Sequence, residues 1–305
     1  MMKQKITWLL FHEPAELFIR TAEHFEKEIN ALTGDKYKFE ILMLSDYERL
    51  YNNGDICDPI EEMRAGRVQM SQLYSQCFPA YTASDFNVLG LPFLFRDHDH
   101  ATRVFEGKVG AQLLDHLQDR AQVKGLGFTY SGGYRCWKSD RPINSLDDLK
   151  GLKVRHKRHP VGSAVWDLLG VEEAKPGETA NIANSTLPRF HADGQPHQHY
   201  ATESGHSMYL TTIFMNLDLW NSLDEQTQKH FETASHICSR TERVQSVADA
   251  DEIKRNNDLA LSRGIHQISR LSDTEQQRLV NLLKGVKTEW APYFTPGLVD
   301  DILAA

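Results

Sequence analysis

The sequence predicts an α/β protein of two lobes, and three features of the chain support that fold class. Strand and helix patterns alternate through residues 6–74, an order typical of a parallel sheet covered by helices. The chain has 305 residues, enough for two lobes of about 150 residues each. From Leu223 to about Ser262 it contains neither proline nor glycine, which predicts one helix of ~40 residues, roughly 60 Å long. A helix of that length would have to run from one lobe to the other.

The amino-terminal elements are predicted from the spacing of apolar residues. Strand patterns are found at Ile6–Phe11, Tyr37–Met43 and Val68–Tyr74. One helix begins at Pro14 and stops at Gly34, and a short helix covers Pro59–Ala65. Together these elements give a β-α-β-α-β order.

The remaining elements are predicted from helix-capping residues and further apolar runs. A helix is expected from Asp99 to Arg120, a strand over Gly127–Tyr130, and a hinge at the pair Gly132 and Gly133. A short strand is expected over Leu152–Arg155. Three sequences have the form of a capping box, Ser145–Asp148, Ser222–Glu225 and Ser272–Glu275, and each predicts the start of a helix.

Composition and charge exclude several classes of protein. The net charge of −8 argues against nucleic acid as the main partner, because such proteins usually carry a basic face. No apolar run approaches ~18 residues, so no segment is expected to insert in a membrane. The apolar stretch Ile6–Phe11 is too short for a signal peptide core, which leaves a cytoplasmic protein or a mature domain without its signal. Cys57, Cys77, Cys136 and Cys238 are scattered, which permits two disulfides without requiring them.

Two arginines are the strongest candidates for ligand contacts. Arg135 and Arg155 each lie near the end of a predicted strand, and strand ends are where open α/β sheets bind ligands. The planar guanidinium group suits a carboxylate, which it can bind through two parallel hydrogen bonds. The alternative is that both arginines are surface or structural residues. The spacing alone leaves the two interpretations open.

The segment around these arginines resembles a known family. Gly132–Arg155, with the sequence GGYRCWKSDRPINSLDDLKGLKVR, is similar to the signature of the TRAP-transporter solute-binding proteins of the dicarboxylate-binding (DctP) type. Further similar segments follow the order and spacing of that family: Phe25–Gly34, Met63–Gly66, Leu91–Phe95, Ala192–Gln195, and Asn216 with Trp220 and Leu223. The resemblance covers nearly the whole chain.

The resemblance implies a periplasmic-binding-protein-like fold with hinge strands and one long helix spanning both lobes. It implies lobe I at 1–126 and 212–250, and lobe II at 127–211 and 251–305. A small organic acid would bind in the cleft between the lobes, and the closed form would dock on the membrane subunits of a TRAP transporter. The expected location is periplasmic, and no cofactor, metal or catalytic activity is expected.

The same resemblance assigns ligand contacts residue by residue. Arg155 falls on the arginine that clamps the carboxylate, and Arg135 on a second arginine that often assists. His197 replaces the asparagine that this family often uses to bind its ligand. Four further residues are candidates to line the site, although each also has a structural or solvent-exposed alternative: Tyr74, Asn216, Glu13 and His12.

Two other functions remain open from the sequence. A metabolite sensor of the same fold would pass its signal to another protein. A metal-dependent binder or enzyme would use the histidines His191, His197, His199 and His206, which lie close to Asp193 and Glu203 in the sequence. No nucleophile elbow, phosphate loop or zinc-protease motif accompanies these histidines.

Overall fold

The computed structural model describes residues 3–12, 14–81, 84–157 and 159–305. The β-strands are Gln4–Leu10 (β1), Tyr37–Met43 (β2), Met70–Tyr74 (β3), Val123–Tyr134 (β4), Cys136–Ser139 (β5), Lys153–Val154 (β6), Glu172–Glu173 (β7), Ile182–Ser185 (β8), Tyr200–Glu203 (β9), Met208–Asn216 (β10) and Gln267–Arg270 (β11). The α-helices are Ala15–Thr33 (α1), Leu44–Tyr51 (α2), Pro59–Arg64 (α3), His98–Glu106 (α4), Lys108–His116 (α5), Pro160–Leu168 (α6), Leu217–Ser222 (α7), Glu225–Arg255 (α8), Asn257–Ser262 (α9), Asp273–Trp290 (α10) and Leu298–Ala304 (α11).

The chain forms two units, each made of three segments. Unit 1 contains residues up to 83, residues 104–129 and residues 210–244, and unit 2 contains residues 84–103, 130–209 and 245–305. The strands β4 and β10 and the helix α8 each contribute residues to both units. The prediction of an α/β protein with strands and a long helix shared by two lobes is therefore confirmed.

Unit 1 is built on a sheet with the strand order β2-β1-β3-β10-β4. The strand β1 pairs in parallel with β2 and β3, whereas β10 runs antiparallel to β3. The apolar face of α1 covers this sheet, and its Phe25 packs against Trp8 of β1 with ring centroids 5.4 Å apart. Phe231 of α8 belongs to the same core and packs against Phe25, at a centroid distance of 5.9 Å.

Unit 2 has its own sheet with the order β11-β9-β5-β8-β6-β7. Trp137 of β5 is fully buried in its core, together with Ile182 of β8 and Leu279 and Leu283 of α10. Two predicted capping boxes tie this unit together. Ser272 accepts a hydrogen bond from the Glu275 N–H, and the Glu275 carboxylate reaches the N–H of Leu146 at 2.7 Å, beside the second box at Ser145.

The predicted 40-residue helix is interrupted, which corrects the sequence analysis. The helix α8 ends at Arg255, and the Asn256 side chain accepts a hydrogen bond from the Leu259 N–H at 3.1 Å to start α9. An asparagine cap thus stops a helix that no proline or glycine interrupts. The start of α8 also differs from prediction, because Asp224 and not Ser222 accepts the first-turn hydrogen bond, from the Thr227 N–H at 2.7 Å.

Two further predictions are corrected by the structure. The helix expected over residues 99–120 is divided at Gly107, whose extended backbone separates α4 from α5. Residues 84–103 belong to unit 2 and not to the lobe I range of 1–126, because Phe93 packs on the core of unit 2 and its carbonyl accepts a hydrogen bond from Lys287 of α10. The other changes of unit fall after residues 129, 209 and 244, against predicted lobe boundaries after 126, 211 and 250.

Candidate functional site

Arg155 lies directly after β6 of unit 2, and its side chain is half-buried. Its guanidinium donates to the carbonyl oxygen of Glu178 at 3.3 Å and to Oε1 of Gln195 at 3.4 Å. Both partners are neutral and both hydrogen bonds are long. Within the described part of the chain, Arg155 forms no ion pair. Its positive charge therefore has no carboxylate partner among the residues that the structure describes.

His197 lies close to the same loop as Arg155. Its Nε2 atom donates to the carbonyl oxygen of Ala180 at 3.1 Å, which also accepts from the amide of Gln198 at 2.9 Å. Because Arg155 bonds Glu178 and His197 bonds Ala180, the structure brings both predicted ligand residues to the loop of residues 178–180. The ring of His197 is exposed.

Arg135 is buried in unit 2 between β4 and β5. Its guanidinium carbon lies 4.3 Å from the ring centroid of Tyr209, which is cation–π geometry. Its main-chain carbonyl accepts hydrogen bonds from Ser204 and Gly205. Burial, assisted by the positive charge of Arg135, lowers the pKa of the neighbouring His206 to about 3. This imidazole is therefore neutral at physiological pH.

Arg189 was not predicted as part of this region. It stacks on the same ring of Tyr209 at 4.3 Å and forms two hydrogen bonds with the Asp193 carboxylate, at 3.0 and 2.9 Å. Its side chain is only 4% exposed. Arg189 and Asp193 are four residues apart, a spacing at which oppositely charged side chains often pair, and this sequence signal could have indicated the contact. Unlike Arg155, Arg189 already has a carboxylate partner.

The remaining predicted contacts belong to unit 1 or lie outside the description. Tyr74 is the last residue of β3, is buried, and its N–H donates to Nε2 of His12 at 3.2 Å. Asn216 caps α7 by accepting from the Leu219 N–H at 2.6 Å, and its amide donates to the Met63 carbonyl. This capping is the structural role that the sequence left open for Asn216. Glu13 lies outside the described residues, so its contact stays a prediction.

A cavity of about 350 Å³ lies in unit 2 at the ends of the parallel strands β9 and β11. Glu203 lines it and forms ion pairs with Lys254 at 2.6 Å and with Arg270 at 2.8 Å. Burial alone would raise the pKa of Glu203, but these two cations outweigh burial and lower it. The principal charges of this cavity thus form ion pairs with one another, whereas the guanidinium of Arg155 is bound to neutral oxygens.

Comparison with known proteins assigns the chain to a family. Residues 11–180, more than half of the chain, match the model of the bacterial extracellular solute-binding protein family 7, DctP. The chain belongs to this family. A curated relative of this family 7 protein is the C4-dicarboxylate-binding protein DctB of Bacillus subtilis, 25% identical over 298 residues, which cover 92% of this chain and 81% of the relative.

Solved structures confirm the fold of this family 7 protein. A TRAP periplasmic solute-binding protein of Sulfurospirillum deleyianum with bound succinate superposes with a TM-score of 0.82, at 19% identity over 100% of this chain and 99% of the other. One from Desulfovibrio desulfuricans with bound sn-glycerol-3-phosphate gives a TM-score of 0.81, at 21% identity over 99% and 97% of the two chains. At this identity the likeness establishes the two-lobed fold.

The other side chains considered for chemistry in this family 7 protein are placed as follows. None of the four cysteines forms a disulfide, and burial raises the pKa of the Cys136 thiol to about 12, although the positive charge of Arg135 lowers it. Among the described residues, no group of three or more histidine, cysteine, aspartate or glutamate side chains is arranged to hold a metal ion. His191 instead contacts Arg263 at 3.2 Å, and His199 stacks on His266 at 4.1 Å. No described helix is long and apolar enough to cross a membrane.

Proposed function

We propose that this family 7 solute-binding protein captures a small organic acid and delivers it to the membrane subunits of a TRAP-type transporter. The observation that carries the proposal is the state of Arg155. This half-buried guanidinium is held by two long hydrogen bonds to neutral oxygens, while Arg189 of the same unit is paired with Asp193. A cation held in this way can exchange weak neutral partners for a charged ligand.

A carboxylate is the ligand group that fits this guanidinium best. Two parallel N–H···O bonds to one carboxylate are charge-assisted and roughly twice as strong as bonds to neutral acceptors. The attraction grows as water is excluded, because the effective dielectric constant falls. Arg155 therefore supplies most of the affinity in this proposal. The exposed ring of His197 beside the same loop contributes to the choice of ligand.

The ligands of related proteins support an anionic solute. The names of the relatives give a C4-dicarboxylate, succinate and sn-glycerol-3-phosphate, all of which carry a carboxylate or phosphate group. A guanidinium binds both groups through the same paired geometry. Arg135 and Tyr74 stay proposed contacts with the rest of the solute, as does Glu13, and Asn216 acts chiefly as the cap of α7.

Binding and release, without catalysis, are sufficient for this role. The family is one of extracellular solute-binding proteins, and we place this member in the periplasm. Delivery requires that the bound protein differ from the free protein, so the solute must bind one conformation more tightly than the other. A charge-assisted contact at Arg155 that forms fully in only one conformation provides that difference.

Thermal unfolding with a panel of solutes tests the proposal. The panel contains mono- and dicarboxylates, sugar acids, a phosphate monoester and matching neutral alcohols. An acid present at 100 times its dissociation constant should stabilise the protein by about 2.7 kcal/mol, a readily visible rise in the midpoint. The neutral alcohols should leave the midpoint unchanged.

Two variants show whether the response depends on Arg155. Arg155→Ala should lose the response to the acids. Arg141→Ala is the matched control, since Arg141 is an exposed arginine of the same unit already paired with Asp140 at 3.0 Å, and it should keep the full response. The proposal fails if no acid raises the midpoint of the unaltered protein, or if Arg155→Ala responds as strongly as the control.

A further inference from the structure

Lys138 of β5 is a buried lysine whose ammonium lies beneath the turn of residues 190–194. The residue is 5% exposed. Its Nζ atom donates to the carbonyl oxygen of Phe190 at 2.7 Å and to that of Asp193, and lies 4.8 Å from the ring centroid of Phe190. Burial lowers the pKa of this amine. A buried amine is costly unless it is hydrogen-bonded, and here two carbonyl groups of one turn accept hydrogen bonds from it.

The turn above Lys138 has little freedom to adopt another shape. Gly194 has a φ of +76°, and a Cβ atom there would lie 2.2 Å from Oε1 of Gln198 and 3.1 Å from Cδ of Lys138. Glycine is the residue that fits both the left-handed backbone and the close approach. The Lys138 side chain therefore packs directly against the turn of residues 190–194 and supports it.

The turn continues directly into Gln195 and Gln198, which contact Arg155 and the loop of residues 178–180. The N–H of Gln195 donates to Oε1 of Gln198, and the Gln198 amide donates to the Ala180 carbonyl, both at 2.9 Å. The side-chain oxygen of Gln195 accepts from Arg155 at 3.4 Å. The main chain of residues 193–195, held by hydrogen bonds at both ends, thus connects the Lys138 ammonium to the Arg155 guanidinium.

We propose that Lys138 is a positioning residue for solute binding: by holding the carbonyl groups of Phe190 and Asp193, it fixes Gln195 and thereby the direction of the Arg155 guanidinium. The inference rests on the proposed function for its effect on affinity. Its structural part, the ordering of residues 190–198 by a buried ammonium, does not depend on which solute binds.

Lys287 of α10 is a matched control in the same unit. Its Nζ atom donates to the Phe93 carbonyl at 2.7 Å, and burial lowers the pKa of its amine as well. Its hydrogen bond holds a different main-chain segment, at Phe93. Replacing either lysine by methionine removes an amine that is buried at Lys138 and half-buried at Lys287, at nearly constant side-chain length, so a general loss of stability should appear in both variants.

The first arm of the test is hydrogen exchange of the solute-free protein. Lys138→Met should accelerate hydrogen exchange of the backbone N–H groups of Gln195 and Gln198 at least about tenfold relative to wild type, since their turn loses its support. Lys287→Met should leave these amides within about twofold of wild type. The proposal is overturned if Lys138→Met leaves them unchanged, or if Lys287→Met accelerates them equally.

The second arm is calorimetric titration with the acid that stabilises the wild type most. Lys138→Met should weaken binding about tenfold and Lys287→Met less than twofold. In a Gln195→Ala background, Lys138→Met should cause little further loss, because the connection to Arg155 is already cut. Full additivity of the two changes would contradict the positioning role. If the wild type binds no acid, the proposed function fails, and the exchange arm alone decides whether Lys138 orders the turn.

Discussion

At the scale of single residues, three arginines of unit 2 show that the groups an arginine contacts decide whether it can bind a ligand. Arg189 donates two hydrogen bonds to the Asp193 carboxylate, through Nε and Nη2, and Arg135 stacks on Tyr209. Arg155 has only neutral oxygens. The residue type is the same in each case, but the local charge leaves Arg155 as the arginine best able to accept an anionic solute.

The buried imidazole of His206 predicts a loss of stability in acid. The unfolded chain binds a proton on this ring near pH 6.5 and the native protein only near pH 3, because burial disfavours the charged form. Between these values the unfolded state holds more protons, so the free energy of unfolding falls as the pH is lowered, by about 1.4 kcal/mol per pH unit.

Urea unfolding from pH 6.5 to 4 measures this contribution. His206→Asn retains a polar group beside Ser204 without a basic ring, so its stability should fall less steeply with acid than that of the wild type. The exposed His236 is the control, and His236→Asn should keep the wild-type slope. If the free energy of unfolding falls with acid equally steeply in His206→Asn and in the wild type, another group causes the loss of stability.

The sequence could propose candidate residues but not their contacts. Arg155 became a candidate because it follows a strand end within a segment that resembles a family signature. The contacts of Lys138 with the turn were missed, because its partners lie 52 and 55 residues further along the chain. Contacts of this kind depend on the pairing of β5 with β8 and β9, which no local pattern specifies.

At the scale of elements, capping side chains decide where the helices of this protein begin and end. The boxes at Ser145 and Ser272 were predicted, since a hydroxyl followed three residues later by a carboxylate is a local signal. The break at Asn256 was not, because an asparagine within a polar helix has no distinct pattern. Helix length was therefore overestimated where glycine and proline alone were used as stop signals.

Asn256 should contribute measurably to stability through its cap on α9. Asn256→Ala removes the acceptor for the Leu259 N–H and should lower the free energy of unfolding by about 1 kcal/mol. Asn256→Asp keeps an acceptor and should retain most of the stability. Asn257→Ala, at the exposed first position of α9, serves as the control and should cost nothing. A loss in Asn257→Ala equal to that in Asn256→Ala would refute the capping role.

At the scale of the whole molecule, the sequence predicted the fold class. It did not predict that the segment 84–103 lies in unit 2, which follows from packing of Phe93 and a hydrogen bond from Lys287. These contacts join residues about 190 positions apart. A linear pattern of residues cannot show such contacts.

The central claim is that the family 7 protein recognises the negative charge of its solute through Arg155. Calorimetric titration of the best-binding acid and of its uncharged primary amide, with the wild type and with Arg155→Ala, tests it most directly. The wild type should prefer the acid at least about a hundredfold, and Arg155→Ala should reduce that preference below about tenfold, since the charge-assisted pair is lost. If Arg155→Ala keeps the wild-type preference for the acid, another group recognises the charge and the account is wrong.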